Sequence, residues 1–534
     1  MRRALLHPLA PVLGVALCGL IYLAAAPATA DMAAHTFRTW LFEHGGATVW
    51  NTQWYGGHHV LGYSLLFAPT AALLGPALVG VLAAVAATAA FVPLARSYAP
   101  AGDWRVAAAT WLFAGGVLAN VVIGRMPFTL GIAFAVAAWL CAERARDRRA
   151  WGAAAALASL AAVWASPVAG AYLLLAAAAR VAGGGRRELG PAVWLGVPAL
   201  AGGAALLLLF PEGGPDRFVA SAFWPMLAVS AAGAALLAPG HPRLRAGAAL
   251  YLLVLAGAFL VPTPFGQNAL RLGVLLGPAL LVLAARPRAP RLALAVCGGV
   301  LLYLQWLPAV RAIGEAQGDP STRASFYAEP RAFLERSTRP GERVEVAFTR
   351  NHWEAAHLAT AVPLARGWER QLDQKVNPLF YDDARFTTER YEAWLTENAV
   401  RWVALPAAPL DYSARAEARL LERGAAFLRP AYRSDRWRIW EVRHPGAPAS
   451  GRARMVSAGP EGFEVIAPGR TVVRQRYTRY WRAEGACLRR APGGWTEVDP
   501  SRPARVRVRA RFTLPLGRRD GSCDDRSVER AAGG

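Results

Sequence analysis

Apolar and polar positions divide this chain into two parts. In the first, runs rich in Ala, Leu, Val and Gly recur, and turns carrying Arg, Gly or Pro separate them. The runs fall at about 9–26, 73–95, 106–123, 127–142, 150–165, 167–182, 191–210, 223–239, 246–261, 273–285 and 292–309. A helix of ~20 apolar residues matches the hydrocarbon core of a bilayer. The pattern therefore predicts about eleven spans, with 150–165 and 167–182 a candidate for a partly re-entrant pair.

Beyond about residue 310 the pattern changes. Arg343–Phe348, Arg401–Leu405 and Arg436–Val442 read as strands, and Thr388–Asn398 and Ser413–Arg423 as helices, which predicts a small α/β domain over 311–450. From about Ala453, strand-like stretches at Phe463–Gly469, Thr471–Tyr477 and Ala504–Phe512 are split by Gly and Pro turns. They predict a small β-sandwich-like domain over 451–534 with a disordered C-terminal end. The expected fold class is an α-helical polytopic membrane domain over 1–310, with its first outer loop at 31–62, followed by α/β and β domains.

Composition narrows the class further. Hydrophobic residues make up 54% and mean hydropathy is +0.25, which excludes an ordinary soluble enzyme. The net charge of +23 does not indicate a nucleic-acid partner, because arginines of the first part sit in short turns where they orient a membrane protein. Lys375 is the only lysine, so the basic excess is an arginine bias. With the N-terminus inside, sixteen arginines occupy inner turns. Only Arg38, Arg125, Arg217 and Arg271 occupy outer ones. This is the positive-inside distribution, and an odd number of spans places the tail outside the cytoplasm. Ala28-Thr29-Ala30 looks like a signal-peptidase site, but the preceding run is long for a signal core, and an uncleaved anchor is expected. Cys18, Cys141 and Cys297 lie in apolar runs; Cys487 and Cys523 are the cysteines of the exported tail and are expected to pair.

The candidate chemistry lies in the outer turns. Asp31 and His35 follow the first run four residues apart, so a continuing helix puts them on one face. A carboxylate at a membrane boundary can serve as a general base or bind a divalent metal, or simply end a helix among headgroups. The segment Trp50-Asn51-Thr52-Gln53-Trp54-Tyr55-Gly56-Gly57 combines aromatic faces and amides, which suit sugar rings and hydroxyls, with a glycine pair that permits close approach. Each Trp or Tyr is equally an interfacial anchor. His58 and His59 are candidates for a metal site with Asp31, although adjacent histidines rarely share one ion. Arg125 and Arg271, the latter beside Gln267 and Asn268, suit phosphate recognition or snorkelling to headgroups. In the tail, Trp368, Glu369 and Arg370 sit in a loop-like run suited to covering a membrane-surface site, or form an ordinary ion-paired loop.

At these residues the chain resembles the GT-C superfamily of membrane glycosyltransferases. It is more closely similar to actinobacterial multi-pass proteins labelled as related to pyruvoyl-tetrahydropterin synthase. The similarity is carried by DMAAH, WNTQWYGG, GRMPFTLG, NALRLG and GWERQLD. It implies a polyprenyl-phosphate sugar donor, an envelope glycan, lipid or protein acceptor, transfer with inversion on the outer face, and Asp31 as the base. The second acidic residue usual in that superfamily has no evident counterpart, Glu43 being the nearest. The competing readings are a non-catalytic scaffold for envelope assembly and a multi-pass transporter or flippase. Against transport, no ionisable group sits mid-span and no inverted halves are visible.

Overall fold

The computed structural model describes residues 7–99, 103–145 and 148–514. The chain forms two compact units, Met1–Met32 with Tyr63–Leu208 and Gly213–Gln317, and Ala33–Gly62 with Leu209–Glu212 and Gly318–Gly534.

The first unit is helical, and every one of the eleven apolar runs becomes a helix. They are α1 (Ala10–Ala25), α4 (Pro76–Arg96), α5 (Trp104–Ile123), α6 (Met126–Arg144), α7 (Arg149–Ala165), α8 (Pro167–Gly184), α9 (Leu189–Leu209), α10 (Ala220–Leu236), α11 (Pro242–Leu260), α12 (Leu270–Ala284) and α13 (Arg291–Ala316). Between the first two come α2 (Ala30–Gly45), bent 79° from α1, and the short α3 (Phe67–Leu74). Among the described residues, seven helical stretches are long and apolar enough to cross a membrane, or eight if the bent pair is one span. The expected count of eleven is higher because α7 and α10 have only 17 residues each and 167–209 counts as one stretch. That stretch is interrupted at Gly185, which separates α8 from α9. The helices present apolar side chains outward, as Leu157, Leu207, Leu253 and Leu292 do, which is how a bundle meets lipid.

The second unit holds the tail and the loop at 33–62. A four-stranded mixed sheet has the order β3 (Arg343–Val346), β4 (Val400–Pro406), β6 (Trp437–Val442), β5 (Leu428–Arg433). Only the β3–β4 pair is parallel. Helices α14 (Ala328–Ser337), α15 (Glu354–His357) and α16 (Arg370–Val376) come before β4 in the chain, and the core collects Tyr391, Trp394 and Leu395 from α17 (Thr388–Glu397), Ala418 and Leu421 from α18 (Arg415–Arg423), and Phe348, Val403 and Val442. The predicted strands and both helices are present. Strand β5 was not expected, and Pro430 is the reason: proline weakens a strand reading except at an edge, and β5 is an edge with a register shift after Pro430. The C-terminal region forms two antiparallel sheets, β10-β13-β8-β7 and β11-β12-β9. They are built from β7 (Arg454–Gly459), β8 (Gly462–Ala467), β9 (Thr471–Arg476), β10 (Trp481–Ala483), β11 (Ala486–Arg490), β12 (Trp495–Pro500) and β13 (Ala504–Ala510). Cys487 of β11 is disulfide-bonded; Cys523 and the C-terminal end expected to be disordered lie outside the described residues.

Two buried carboxyls make the stability of this unit depend on pH. Burial, then Glu417, pushes Glu345 of β3 well above the usual carboxylate range. Burial pushes Glu417 of α18 up to about 7, against the pull of Arg366 and a 2.5 Å hydrogen bond from the Tyr391 hydroxyl. Both carboxyls hold protons in the fold at pH values where the unfolded chain, titrating near ~4.3, has lost them. The contribution of Glu417 is present below that unfolded value and is lost as pH rises through about 7, and that of Glu345 is lost in the same direction. The unfolding midpoint of the purified chain, read by tryptophan fluorescence, is expected to fall from pH 5 to pH 8, and Glu417→Gln to flatten that slope. A midpoint that rises with pH contradicts the assignment.

Candidate functional site

In the helical unit, Asp31 sits in the first turn of α2, where a carboxylate complements the helix dipole. Helix α1 ends just before it at Ala26, in the left-handed region at φ 40°. The hydroxyl of Thr29 donates to the Ile123 carbonyl at 3.0 Å, tying this corner to the end of α5. Helix α5 stops at Gly124, φ 97°, whose N–H returns to the carbonyls of Asn120 and Val121. A Cβ on Gly124 would lie 3.0 Å from Thr29 Oγ1 and 3.2 Å from Asp31 Cβ. Glycine is required there twice, for its backbone angle and for the approach of Asp31. Gly124→Ala is expected to displace Asp31 and to destabilise the corner by ~1 kcal/mol or more, read as a lower thermal unfolding midpoint of the purified chain. An unchanged midpoint would contradict this.

Arg125 follows directly. Its Nη1 donates to Asn120 Oδ1 at 3.4 Å, and its Nε is buried without a hydrogen-bond partner. Burial, then the neighbouring Arg271, pushes its pKa down to about 10, while Asp31 and the hydroxyls of Tyr172 and Tyr63 act the other way. Two guanidiniums and one carboxylate therefore share one end of the helical unit. Arg271, at the start of α12, stands over the Phe128 ring at 5.2 Å. Phe128 meets Tyr172 edge-on, and the Tyr172 hydroxyl donates to the Asn268 carbonyl at 2.6 Å. The Asn268 side chain is used locally, donating to Asp216 at 3.1 Å. Tyr172 also lines an apolar cavity that continues past Phe113, Ile132, Ala176 and Leu275 to Trp139 and Tyr98.

The aromatic segment belongs to the other unit, and its rings are occupied. Trp54 is 0% exposed. It stacks on Phe37 at 4.3 Å and on His58 at 5.4 Å, and its Nε1 donates to the Ala355 carbonyl. A Cβ on Gly367 would lie 2.4 Å from Trp54 Cγ. Tyr55 donates to the Gly367 carbonyl at 2.5 Å, Trp50 packs against His59 and Trp481, and the side-chain Oδ1 of Asn51 accepts from the Gln53 N–H at 3.0 Å. Trp50, Asn51, Trp54 and Tyr55, expected to hold sugar, are all buried in this packing. The glycine pair likewise serves the backbone. Tyr55, Gly56 and Gly57 have φ of 59°, 72° and 137° and turn the chain from β1 (Trp50–Asn51) into β2 (His58–His59).

His35 is buried on α2, and Glu43 is exposed on the same helix. Burial pushes His58 and His59 down to about 3, with Arg38 acting further on the first and Arg479 on the second. Both are neutral near pH 7. Among the described residues no group of three or more His, Cys, Asp or Glu side chains is placed to hold a metal ion. In the tail, Glu369 pairs with Arg38. Arg370 takes both oxygens of Asp411 at 2.9 and 2.8 Å. Trp368 stacks on His352 at 3.5 Å. The three residues are half-buried. One carboxylate had no sequence reading: Glu212 accepts the His59 N–H, and burial, then Glu369, pushes it well above the usual range. Its only sequence signal is an acidic residue in a turn after an apolar run.

No protein-family model matches this chain, and no curated protein matches it, so the pyruvoyl-tetrahydropterin synthase-related label finds no support there. Among solved structures the chain is similar to ArnT from Cupriavidus metallidurans. Against ArnT bound to undecaprenyl phosphate the TM-score is 0.40 at 13% identity, covering 81% of this chain and 97% of that one. Against apo ArnT it is 0.39 at 14% identity, covering 82% and 98%. Scores of this size are too low to transfer residue roles.

Proposed function

We propose that this chain is a membrane glycosyltransferase of the GT-C type. It moves a sugar from a polyprenyl-phosphate donor to an envelope glycan, lipid or protein, with inversion, on the extracytoplasmic face. The observation that carries this reading is the group of Asp31, Arg125 and Arg271 at one end of the helical unit, with Tyr172 between it and an apolar cavity. A phosphate on an isoprenoid chain needs that combination: guanidiniums for a charge that grows as the phosphate leaves and an apolar space for the chain. Asp31 takes the proton from the acceptor hydroxyl as the new bond forms at the anomeric carbon. The donor phosphate departs with the bonding pair and is stabilised by Arg271 and Arg125. A divalent ion at Asp31 is not needed for these steps.

The tail domains orient the acceptor, and the arginine asymmetry supports an extracytoplasmic position for them. Cysteine labelling from the outer side is expected at Ser325 and not at Ala145. The test of function is transfer of labelled sugar by membranes supplied with polyprenyl-phosphate sugars. Absence of transfer from every donor, with the protein present and folded, leaves the scaffold or transporter reading ahead.

A further inference from the structure

The C-terminal four-stranded sheet has an outward face with an excess of arginine. Along β13, Val506 and Val508 point inward and are buried, while Arg505, Arg507 and Arg509 point outward and are exposed. Register carries the pattern across the sheet. Arg507 lies opposite Glu464 on β8, Arg505 opposite Ile466, and Ile466 opposite Arg454 on β7. Arg509 lies opposite Arg482 on β10.

Glu464 is the acid of this face. It pairs with Arg505 at 2.8 Å and approaches Arg507 at 3.6 Å. Among the described residues, no ion pair joins Arg509 or Arg454 to a carboxylate. Arg482, opposite Arg509, turns its guanidinium to the Arg479 and Trp481 carbonyls and to the Thr513 hydroxyl, so Arg509 is left as a cation of the face. Outward positions along one strand repeat every ~6.8 Å, so the face presents cations at a regular interval. Among the described residues of these four strands, Ile466, 36% exposed, is the one exposed large apolar side chain, and no aromatic ring on them is exposed for a neutral sugar to stack on; the exposed Phe512 and Leu514 follow the end of β13.

We propose that this face is a docking surface for an anionic polysaccharide, a glycan chain with carboxylates at regular intervals. Guanidinium forks match carboxylates two bonds at a time, and a polymer relieves the repulsion of several arginines at once. The inference stands on the sheet alone and does not rest on the transfer reaction.

The test is binding of the full chain, in nanodiscs of neutral lipid, to alginate as a polyuronate probe, with neutral dextran and phosphatidylglycerol vesicles as parallel probes. Alginate is expected to bind, more weakly as salt rises, and dextran not to bind. The triple variant Arg505→Ser, Arg507→Ser, Arg509→Ser is expected to weaken alginate binding by ~10-fold or more. A charge-matched triple at exposed positions elsewhere in the tail, Arg433→Ser, Arg436→Ser, Arg443→Ser, is expected to leave it within ~2-fold. An unfolding midpoint unchanged in both triples shows that each is folded. Equal loss in both triples reduces the effect to net charge and overturns the proposal. Equal binding of dextran, or no loss in the first triple, also overturns it. Vesicle binding that the first triple abolishes, without alginate binding, assigns the face to lipid instead.

Discussion

Membranes carrying Asp31→Asn are expected to lose sugar transfer by ~10²–10⁴-fold while the protein inserts and folds normally. The amide is nearly isosteric with the carboxylate, so the contact with Gly124 survives. It cannot accept the acceptor's proton. The position is half-buried in the first turn of α2, so removing its charge forfeits a helix-dipole interaction of only ~0.3–1 kcal/mol. A large loss of rate with little loss of protein therefore separates chemistry from structure. Arg271→Ala should differ. It should raise the donor concentration needed as well as slow the reaction, and Lys should restore only part, since an ammonium does not reproduce the planar fork. A transporter has no hydroxyl to deprotonate and predicts no such contrast. Full activity in Asp31→Asn membranes removes the catalytic assignment.

The second large effect is expected in the tail. Arg366 is buried between the Phe348 and Phe380 rings, 3.9 and 3.8 Å from their centroids. Its Nη2 reaches Asp373 Oδ2 at 2.6 Å. Asp373 of α16 (Arg370–Val376) also accepts from Asn377 at 2.8 Å and Tyr381 at 2.6 Å. Removing one partner of a buried pair leaves an uncompensated charge and costs about 3–5 kcal/mol. Asp373→Ala is therefore expected to unfold or severely loosen the tail, seen as a lower thermal midpoint and rapid proteolysis beyond residue 318. A midpoint within the error of the parent would show that the network is not holding the domain. The residue pattern leaves this run open between a loop suited to covering a site and an ordinary ion-paired loop; within it Arg366 and Asp373 are buried, while Trp368, Glu369 and Arg370 are half-buried. Arg366 and Asp373 are seven residues apart, and nothing in the spacing says that two phenylalanines close around the guanidinium.

Much of the fold was legible because its signals are local. Apolar runs of bilayer length need no partner to be recognised, and all eleven became helices. Period-two alternation marked β4, β6 and β13 for the same reason. Where a strand's residues broke the local rule, as Pro430 does in β5, the element was missed. How many of the helices qualify as spans was less legible, because length and the break at Gly185 decide it rather than apolarity.

For the site the division is sharper. From residues alone came Asp31, Arg125 and Arg271 as outer-end groups, because a charge at the end of an apolar run is conspicuous. What only tertiary structure decided is which of them meet. Gly124 brings the end of α5 against Asp31, and Arg271 becomes Arg125's neighbour across 146 positions of chain. It also buried the segment that looked richest. Trp50, Trp54 and Tyr55 have the composition of a sugar platform, and composition cannot show that Phe37, His58 and Gly367 pack on Trp54 or that His59 and Trp481 pack on Trp50. An aromatic ring is equally good at burying area in a core and at meeting a sugar, so its role is set by what the rest of the chain packs against it.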